Sequence, residues 1–296
     1  MVIPRSYLYV PGDQPDKLAK VLQRGADAVI LDLEDAVAAG AKDAGRAAVA
    51  AFLDGLPTGL SSPQLWLRIN PAEAGSVDIA VAWRPVLTGV MVAKTESVAD
   101  LEDVDRALRA VEQAAGAAVG STAVVPMLES AAAIFAAPQI AAGPRVVRLQ
   151  VGEADLTSEL GVDAAGAGSA VVTTARSMVV LASAAAGLEP PMAPVSTDFR
   201  DLDALRSSTR ELAGMGYLGR ACIHPAQVAV VNGVFTPDAQ EVSAARSLVQ
   251  RFDAELAAGR GVMVGDDGRM VDEAVLRRAR RLLVLADPGR SGSAAG

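Results

Sequence analysis

Short apolar runs alternate with helical stretches over most of the chain. Runs typical of buried strands lie at Ser6–Val10, Asp27–Leu33, Gln64–Asn70, Gly89–Lys94, Thr122–Leu128 and Val146–Val151, with two further candidates at Pro191–Val195 and Arg220–Ile223. Helices are predicted at Gln14–Arg24, Ala36–Leu53, Ser97–Ala115, Ala131–Ala137 and Ala170–Ala186. Apolar strands that alternate with helices indicate a parallel sheet in an α/β fold. Eight such units within residues 5–235 favour a (β/α)8 TIM barrel over an open sheet.

The pattern changes after residue 235. An amphipathic helical stretch at Thr236–Gly259 is followed by Gly261–Val271, which is typical of a hairpin that turns at residues 266–268, and by a last helix at Asp272–Ala286. The final residues are mostly Gly, Ser and Ala, a composition typical of disorder. The sequence therefore predicts a barrel at 1–235, a C-terminal helical and hairpin extension at 236–287, and a disordered tail at 288–296.

Composition narrows the class of protein. The chain has 296 residues, 51% of them hydrophobic, which allows a large core. Its net charge of −8 argues against nucleic-acid binding. A single cysteine excludes a disulfide framework. Because Met1–Gly12 has no apolar signal region and no charge-free apolar run reaches about 18 residues, we expect a cytoplasmic protein that has no membrane-spanning helix.

Polar side chains follow the predicted strands at the points where the strands end. They are Asp32 and Glu34, Arg68 and Asn70, Lys94 and Glu96, Glu129, Glu153 and Asp155, and finally His224, the only histidine. In a parallel barrel the carboxyl ends of the strands form one face, and this face carries the chemistry. Carboxylates crowded into a small mouth need compensating cations, which Arg68, Lys94 and a divalent metal would supply. All-oxygen ligation suits Mg²⁺ rather than zinc.

Each of these residues also has an ordinary structural interpretation. A charge at a strand end is usually a loop residue or a helix cap, and Asp35 fits a cap for the helix predicted to follow it. Glu96 fits an ion pair with Lys94, and His224 fits a structural turn. Cys222 fits core packing better than a nucleophile, because no partner base is visible beside it. Ordinary structural roles explain any one of these polar residues more easily than they explain polar residues at six strand ends together.

Several ordered motifs resemble one known family. They are Ser6-Tyr7-Leu8-Tyr9-Val10-Pro11-Gly12, Asp32-Leu33-Glu34-Asp35-Ala36-Val37, Arg68-Ile69-Asn70, Lys94-Thr95-Glu96-Ser97, Met127-Leu128-Glu129-Ser130, Gly152-Glu153-Ala154-Asp155-Leu156, Asp198-Phe199-Arg200-Asp201, Ile223-His224-Pro225-Ala226-Gln227 and Gly268-Arg269-Met270-Val271-Asp272. They resemble the citrate lyase beta-subunit-like proteins of the HpcH/HpaI aldolase family, whose relatives include malyl-CoA and citramalyl-CoA lyases. The resemblance covers about residues 5–285.

This resemblance implies a barrel in which Mg²⁺ is the cofactor, held by Glu129 and Asp155. It implies that Arg68 is a catalytic residue that binds the oxygens of the substrate, and that Glu129 also contacts the substrate. It implies that Asp32 and Glu34 line the metal site through water. These roles are expectations carried over from the family onto matching positions of this sequence.

The resemblance further implies a site shared between subunits. In lyase relatives an Asp of the C-terminal segment reaches into a neighbouring subunit and acts in proton transfer, and Asp272 is the matching position. The family is usually trimeric or built from trimers. We therefore expect a homotrimer or hexamer in which Asp272 is a second catalytic residue.

The expected partners are a CoA thioester and a keto acid. Pro11, Gly12 and Lys17 are candidate CoA contacts, because the first loop lies near the predicted barrel mouth. Lys42 and Arg46, at the second helix, are further candidates for phosphate contact. For each charged member of this set, solvated surface charge is the ordinary alternative.

The function expected from residues and resemblance together is a Mg²⁺-dependent carbon–carbon lyase. It would cleave, or form, a 3-hydroxyacyl thioester such as malyl-, citramalyl- or citryl-CoA, with an acyl-CoA and a keto acid as products. Alternatives within the enzymes are a malyl-CoA-type thioester hydrolase, an aldolase on free hydroxy-keto acids, and the beta subunit of a citrate lyase complex that uses an acyl-carrier protein. A non-catalytic barrel that acts as a scaffold or sensor is an alternative of another class.

Overall fold

The structure is a computed structural model that describes residues 3–57, 62–164, 166–265 and 268–286. The predicted tail at 288–296, and Asp266 and Asp267 of the predicted hairpin turn, lie outside the described residues. The chain divides into two compact units. The larger spans Pro4–Asn232, and the smaller begins at Gly233.

A parallel sheet forms the centre of the larger unit. Its strands are β1 (Ser6–Pro11), β2 (Ala28–Asp32), β3 (Gln64–Ile69), β4 (Gly89–Val92), β5 (Ala123–Leu128), β6 (Gln150–Val151) and β7 (Arg220–Cys222). They pair in the order β6-β5-β4-β3-β2-β1-β7, and all six pairs are parallel. The predicted α/β fold with a parallel sheet is therefore confirmed.

Helices follow these strands along the chain. They are α1 (Pro15–Val21), α2 (Lys42–Asp54), α3 (Ala72–Ala82), α4 (Val98–Ala114), α5 (Ala131–Phe135), α6 (Ala137–Ala141), α7 (Glu153–Leu160), α8 (Ser169–Ala185), α9 (Leu202–Met215) and α10 (Pro225–Phe235), with short 3-10 turns at Leu22–Arg24, Ala39–Ala41 and Gly166–Gly168. The apolar pattern did not predict α3, α7, α9 and α10. In α3 the apolar residues are spread around the helix, so no one-sided stripe marks it in the sequence.

The predicted strand at Pro191–Val195 forms isolated bridges instead of a regular strand. Met192 is bridged in parallel to Gln150 of β6, and Ala193 to Arg220 of β7. The segment contains Pro191 and Pro194, which have no backbone N–H to donate to a neighbouring strand. The ladder is therefore interrupted, and the structure has a curled seven-stranded sheet in place of the predicted regular eight-stranded barrel.

The inner face of the curled sheet is formed by every second residue of each strand. Tyr7, Ala28, Ile30, Trp66, Met91, Ala93, Ala123, Val125, Met127, Met192 and Ala221 form a buried cluster on this face. Continuing the alternation by one step along β2, β3 and β5 puts Asp32, Arg68 and Glu129 on the same face at its carboxyl end. The core pattern of the strands thus positions the charged site residues.

One helix differs from the expectation about membrane segments. By length and composition alone, Gly166–Ala185, which contains α8, is long and apolar enough to cross a membrane. In the larger unit α8 packs against α6 and β6, and its Arg176 forms an ion pair with Glu153. The helix buries Val179 in the core and leaves an apolar side exposed at Leu181.

The smaller unit contains two helices and a hairpin. Its elements are α11 (Ala239–Ala257), β8 (Met263–Val264), β9 (Met270–Val271) and α12 (Glu273–Ala286). A capping box between Asp238 and Glu241 starts α11, and β8 pairs antiparallel with β9 as the sequence predicts. Phe252, Val271 and Leu276 form the buried core that joins these elements.

Candidate active site

A cavity of about 770 Å³ opens at the carboxyl ends of the strands in the larger unit. Its walls combine residues from the ends of β1, β2, β3, β5 and β6 with α1 and the turn after β7. Of the residues that the sequence predicts for the site, Pro11, Lys17, Asp32, Arg68, Glu129 and Asp155 line it, as does His224. The structure therefore brings most of the predicted site together in one place.

Strand register places Arg68 beside Asp32. The two residues are direct partners in the pairing of β2 with β3. The Arg68 Nε donates to Asp32 Oδ1 at 2.6 Å and its Nη2 donates to Asp32 Oδ2 at 2.5 Å, which is a bidentate ion pair. The guanidinium carbon also lies 4.8 Å from the centre of the Tyr9 ring. Arg68 is therefore fixed on one edge and on one face.

Glu34 connects Arg68 to Lys94. The Glu34 carboxylate is almost fully buried, and its Oε2 lies 3.0 Å from Nη1 of Arg68. Its other oxygen, Oε1, accepts a hydrogen bond from the Lys94 ammonium. Burial alone would lower the pKa of Lys94, but the hydrogen bond and charge of Glu34 raise it above its usual range. Acidic and basic groups therefore alternate across the ends of β2, β3 and β4.

Glu129 is held at the end of β5 by backbone groups. Lys94 has a left-handed backbone, with φ of 50°, and its N–H donates to Glu129 Oε2 at 2.8 Å. At Gly152 an added Cβ would lie 2.5 Å from Glu129 Cγ, so only glycine leaves room for this carboxyl. Burial raises the pKa of Glu129 to about 7, and the charges of Glu34 and Asp155 add to this effect. The carboxyl is thus only partly ionised near neutral pH, and a bound cation would favour its ionised form.

Several carboxylates line this cavity, and three of them are in ion pairs: Asp32 with Arg68, Asp35 with Lys94 and Glu153 with Arg176. Glu129 and Asp155 are the oxygen donors at the strand ends that are not used in this way. Asp155 lies in the first turn of α7, exposed to the cavity, and its charge acts on Glu129. Among the described residues, no group of three or more Asp, Glu, His or Cys side chains could hold an ion together. Mg²⁺ usually binds one or two carboxylates and completes its shell with water and substrate. The donor set therefore fits Mg²⁺ and does not fit a structural zinc.

Tyr9 and Gln150 line the cavity on the inner side of the sheet, and neither was predicted as a site residue. Tyr9 follows Tyr7 on the inner face of β1, and burial raises the pKa of its hydroxyl above the usual range, so it stays protonated. Gln150 lines the cavity from β6, and its side chain lies close enough to the Tyr9 hydroxyl to oppose the rise in that pKa. The available signal for Gln150 was a polar residue inside the largely apolar run Val146–Val151, which also contains Arg148.

The first helix brings cations to the cavity. Lys17, Lys20 and Arg24 line it, and their spacing places them on one side of α1 and the turn that follows. Within the described part of the chain, none of the three forms an ion pair. Pro11 also lines the cavity, but Gly12 does not. Gly12 is buried, and a Cβ there would lie 2.9 Å from the Asp32 carbonyl oxygen.

The candidate phosphate contacts at the second helix have other partners. The Lys42 ammonium donates to the carbonyl oxygens of Leu33 and Glu34, both at 2.8 Å. Arg46 forms ion pairs with Asp43 and the fully buried Asp78. Both cations therefore stabilise the turn after β2 and the packing of α2, rather than facing a ligand.

Two of the ordinary interpretations are wrong. Asp35 does not cap a helix, because α2 begins only at Lys42, with Ala41 before it, and Asp35 instead lies 3.3 Å from the Lys94 ammonium. Lys94 pairs with Glu34 and Asp35 rather than with Glu96. The 3-10 turn at Ala39–Ala41, which includes Gly40, lies where the sequence analysis predicted the start of a helix at Ala36.

Three other candidates have local structural contacts. Burial raises the pKa of Cys222 to about 12, so it is an unreactive core thiol, as expected. His224 accepts a hydrogen bond from the Ala226 N–H and stacks on Phe199, with ring centres 4.8 Å apart. Asp272 lies in the smaller unit, where its carboxylate accepts a hydrogen bond from Val275 N–H at 3.2 Å, at the start of α12. Its catalytic role stays a prediction.

Comparison with known proteins matches this arrangement to one family. Residues 5–225 match the HpcH/HpaI aldolase/citrate lyase family. The chain is 32% identical to an L-malyl-CoA/beta-methylmalyl-CoA lyase of Cereibacter sphaeroides, over 96% of this chain and 94% of that protein. It is 30% identical to citrate lyase subunit beta of Haemophilus influenzae, over 98% of this chain and 99% of that protein.

A solved structure is similar over nearly the whole chain. It is protein CitE from Mycobacterium tuberculosis in complex with magnesium, acetoacetate and coenzyme A, with a TM-score of 0.75 and 29% identity. The similarity covers 95% of this chain and 97% of that one. The resemblance read from the motifs is thereby confirmed. The chain belongs to the HpcH/HpaI aldolase/citrate lyase family, and it is a lyase.

Proposed function

We propose that this lyase depends on Mg²⁺ and cleaves a 3-hydroxyacyl thioester into an acyl thioester and a keto acid. The observation that carries the proposal is that Glu129, Asp155 and Arg68 line one cavity at the carboxyl ends of the strands. Two carboxylates that can share a cation, close to a fixed guanidinium, suit an anionic substrate with two neighbouring oxygens. The similar proteins named for malyl-CoA and citrate lyase act on substrates of this chemistry.

Arg68 retains the donors that such a substrate needs. A guanidinium has five N–H groups. Arg68 donates one N–H from Nε and one from Nη2 to Asp32, and its Nη1 forms an ion pair with Glu34. At least one N–H therefore remains on each terminal nitrogen, and these nitrogens form the outer edge of the guanidinium. We infer that this edge binds the carboxylate or carbonyl oxygens of the acid.

Glu129 and Asp155 are the proposed metal ligands. The pKa of Glu129 near 7 reflects burial beside other carboxylates, a setting in which a bound cation is favourable. When bound there, Mg²⁺ would supply Lewis acidity toward the oxygen on which charge develops. Lys94 fixes Glu129 through its N–H, and Gly152 leaves the space in which the carboxyl sits.

The reaction requires the following bond changes. The hydroxyl of the substrate loses its proton, the bond between carbons 2 and 3 breaks, and carbon 3 becomes the carbonyl carbon of the keto acid. The electron pair passes to the thioester enolate, which then takes up a proton at carbon 2. Arg68 would bind the oxygens of the keto acid before and after the bond breaks. Its N–H groups would stabilise the negative charge that develops on these oxygens.

The cations of α1 are the proposed contacts for the thioester carrier. Lys17, Lys20 and Arg24 line the cavity and have no acidic partner within the described chain. A carrier that bears phosphate groups, such as coenzyme A, would satisfy them. This assignment retains Lys17 and Pro11 from the predicted CoA contacts and replaces Gly12 with Lys20 and Arg24.

We also propose that the bridged segment completes the ring of strands. Met192 bonds toward β6 and Ala193 toward β7, so residues 191–195 link the two ends of the seven-stranded sheet. Eight segments would then surround the inner cluster, in the manner of the predicted barrel. The oligomer remains proposed as a trimer or hexamer, with Asp272 acting in proton transfer in a neighbouring subunit.

The proposal is tested by product analysis. Malyl-, citramalyl- and citryl-CoA are incubated with the protein, with and without Mg²⁺, and the products are identified by mass spectrometry. We expect an acyl-CoA and a keto acid as products only in the incubations that contain Mg²⁺. Glu129→Gln and Asp155→Asn should each lower turnover by about 100-fold or more, because each replaces a charged carboxylate ligand by a neutral amide that binds Mg²⁺ more weakly. Glu96→Gln, an exposed carboxyl at a neighbouring strand end, serves as the matched control.

Two outcomes would contradict the proposal. Free CoA together with an intact hydroxy acid would indicate thioester hydrolysis instead of carbon–carbon cleavage. Undiminished turnover of Glu129→Gln in a chelator would show that the metal assignment is wrong. Cleavage only when the acyl group is presented on an acyl-carrier protein would identify the chain as the beta subunit of a larger complex.

A further inference from the structure

Gln150 carries an unsatisfied hydrogen-bond acceptor in the cavity wall. The residue is 2% exposed, lines the cavity, and lies at the start of β6 beside Met127 of β5. Its Oε1 is buried and has no hydrogen-bond partner among the residues that the structure describes. Its side chain lies close to the Tyr9 hydroxyl, where it opposes the rise in the pKa of that hydroxyl. The oxygen is therefore left for a group that enters the cavity.

An acceptor in this state limits what can bind next to it. A buried polar atom without a partner costs free energy, and a ligand that satisfies it gains that energy on binding. Carboxylate and carbonyl oxygens offer only lone pairs, so they cannot satisfy an amide oxygen. A hydroxyl group can donate to it. The part of the acid that reaches Gln150 must therefore carry a donor.

The position of Gln150 relative to Arg68 makes this selection possible on a small acid. Tyr9 lies next to both residues: its ring lies under the Arg68 guanidinium, and its hydroxyl is close to the Gln150 side chain. The donors of Arg68 and the acceptor of Gln150 are thus neighbours of one tyrosine, and all three residues line the same cavity. A short acid can place its carboxylate at Arg68 and a hydroxyl at Gln150 together.

We propose that Gln150 is a specificity-determining residue, whose amide oxygen selects acids that carry a hydroxyl group over the same acids without it. The inference rests on the proposed function, because it takes the acid to bind between Arg68 and the metal ligands. A site built to hydrogen-bond a substrate hydroxyl rejects the analogue that lacks it more strongly than an apolar pocket does.

The test measures binding of matched acids in the presence of Mg²⁺ by calorimetry. The pairs are hydroxypyruvate with pyruvate, lactate with propionate, and 3-hydroxypropionate with propionate. For the unmodified protein we expect the hydroxyl member of at least one pair to bind about tenfold or more tightly. Gln150→Met, which has similar size and no acceptor oxygen, should reduce that preference to about twofold or less.

Two further variants separate the specific effect from general damage. Gln150→Glu keeps an oxygen acceptor at the same reach and should retain the preference. Gln139→Met, at an exposed glutamine on α6, should behave as the unmodified protein does. Thermal unfolding of each variant shows whether it has folded, and the ratio within a pair does not depend on the amount of folded protein.

The outcomes distinguish this inference from the proposed function. If no pair shows a preference, or if Gln150→Met retains it, the role of Gln150 is wrong while acid binding stands. If Gln150→Met weakens both members of a pair equally, the oxygen binds a water molecule rather than a hydroxyl, which also overturns the inference. If the unmodified protein binds none of the acids with Mg²⁺, the proposed function fails, and this inference fails with it.

Discussion

At the scale of single residues, the site depends on groups that leave space as much as on groups that react. Glu129 can turn into the cavity because Gly152, on the neighbouring strand end, has no side chain. The backbone of Gly152 has φ of −95°, which any residue can adopt. The requirement for glycine there is therefore a requirement for space, and it can be tested without straining the backbone.

Gly152→Ala is expected to lower activity and Mg²⁺ affinity by about tenfold or more. The new methyl group would occupy the place of the Glu129 side chain, and a displacement of about 1 Å in such a group is costly in catalysis. Activity and Mg²⁺ binding by calorimetry are the measurements. Gly40→Ala is the matched control, because a Cβ there has no atom within 4 Å. Equal behaviour of the two variants would mean that Glu129 is not held as described.

Some of the site residues can be predicted from the sequence, and others cannot. Asp32, Arg68 and Glu129 were predictable, because each continues the two-residue period of an apolar strand by one step. Gly152 and Gln150 were not selected, although both lie in the same stretch as Asp155. Their roles come from distances to Glu129 and Tyr9, on other strands. A periodicity within one strand contains no information about such contacts.

At the scale of elements, α1 contributes a charged side to an otherwise acidic protein. Lys17, Lys20 and Arg24 follow one another at helical spacing and line the cavity, whereas the protein as a whole has a net charge of −8. A local group of cations in such a protein can attract an anionic carrier to one end of the sheet. The first helix would then bind the carrier while the strand ends bind the reacting acid.

Reversing two of these charges is expected to affect the carrier selectively. In the double variant Lys17→Glu and Lys20→Glu, we expect the KM for a CoA thioester to rise about tenfold, because attraction to phosphate becomes repulsion. The affinity for a free keto acid with Mg²⁺ should change by less than about twofold, because its binding groups lie on the strands. Steady-state kinetics and calorimetry provide these two values.

The matched control reverses two cations elsewhere. Arg206→Glu and Arg210→Glu on α9 change the net charge by the same amount, and neither residue lines the cavity. An equal rise in KM for both double variants would indicate a general charge effect and would contradict a binding site on α1.

Elements differ in how well the sequence predicted them. The first five strands were located within one or two residues, because each is a continuous apolar run between turns. The predicted strand at Pro191–Val195 is reduced to bridges by its prolines, which the apolar pattern does not take into account. The start of α2 was placed too early, because Ala36, Val37 and Ala38 have a helical composition but continue the turn after β2.

At the scale of the whole molecule, the chain consists of two compact units with separate cores. The larger unit contains every residue that lines the cavity. The smaller unit contains Asp272, which the family resemblance implicates in proton transfer. If that residue acts in a neighbouring subunit, one active site is built from two chains, and activity then depends on which chains are combined.

Mixing two inactive variants tests this dependence. Asp272→Ala and Arg68→Lys are produced separately and together, and activity is measured on the mixed oligomer. Random assortment places an intact cavity beside an intact Asp272 in about a quarter of the sites, so we expect about a quarter of the unmodified activity. Arg68→Lys alone should have little activity, because lysine cannot form the paired contacts of the guanidinium.

The control mixes Arg68→Lys with Glu129→Gln. Both changes lie in the same cavity, so no arrangement of subunits produces an intact site and activity should stay low. A mixture of the Asp272 and Arg68 variants that forms oligomers and yet recovers nothing would contradict a shared site. If the Asp272→Ala variant alone has full activity, Asp272 has no role in catalysis and serves only as the cap at the start of α12.

The order of charges Asp32, Glu34, Arg68 and Lys94 has a consequence for protein engineering. Each acid lies against a base of an adjacent strand end, and the two carboxylates are almost fully buried. Removing the charge of Asp32, Glu34 or Arg68 leaves a buried partner with fewer opposite charges, so such a substitution should destabilise the strand ends before it alters selectivity. Redesign toward new acids should therefore begin at neutral wall positions, and should exchange charged residues only in oppositely charged pairs.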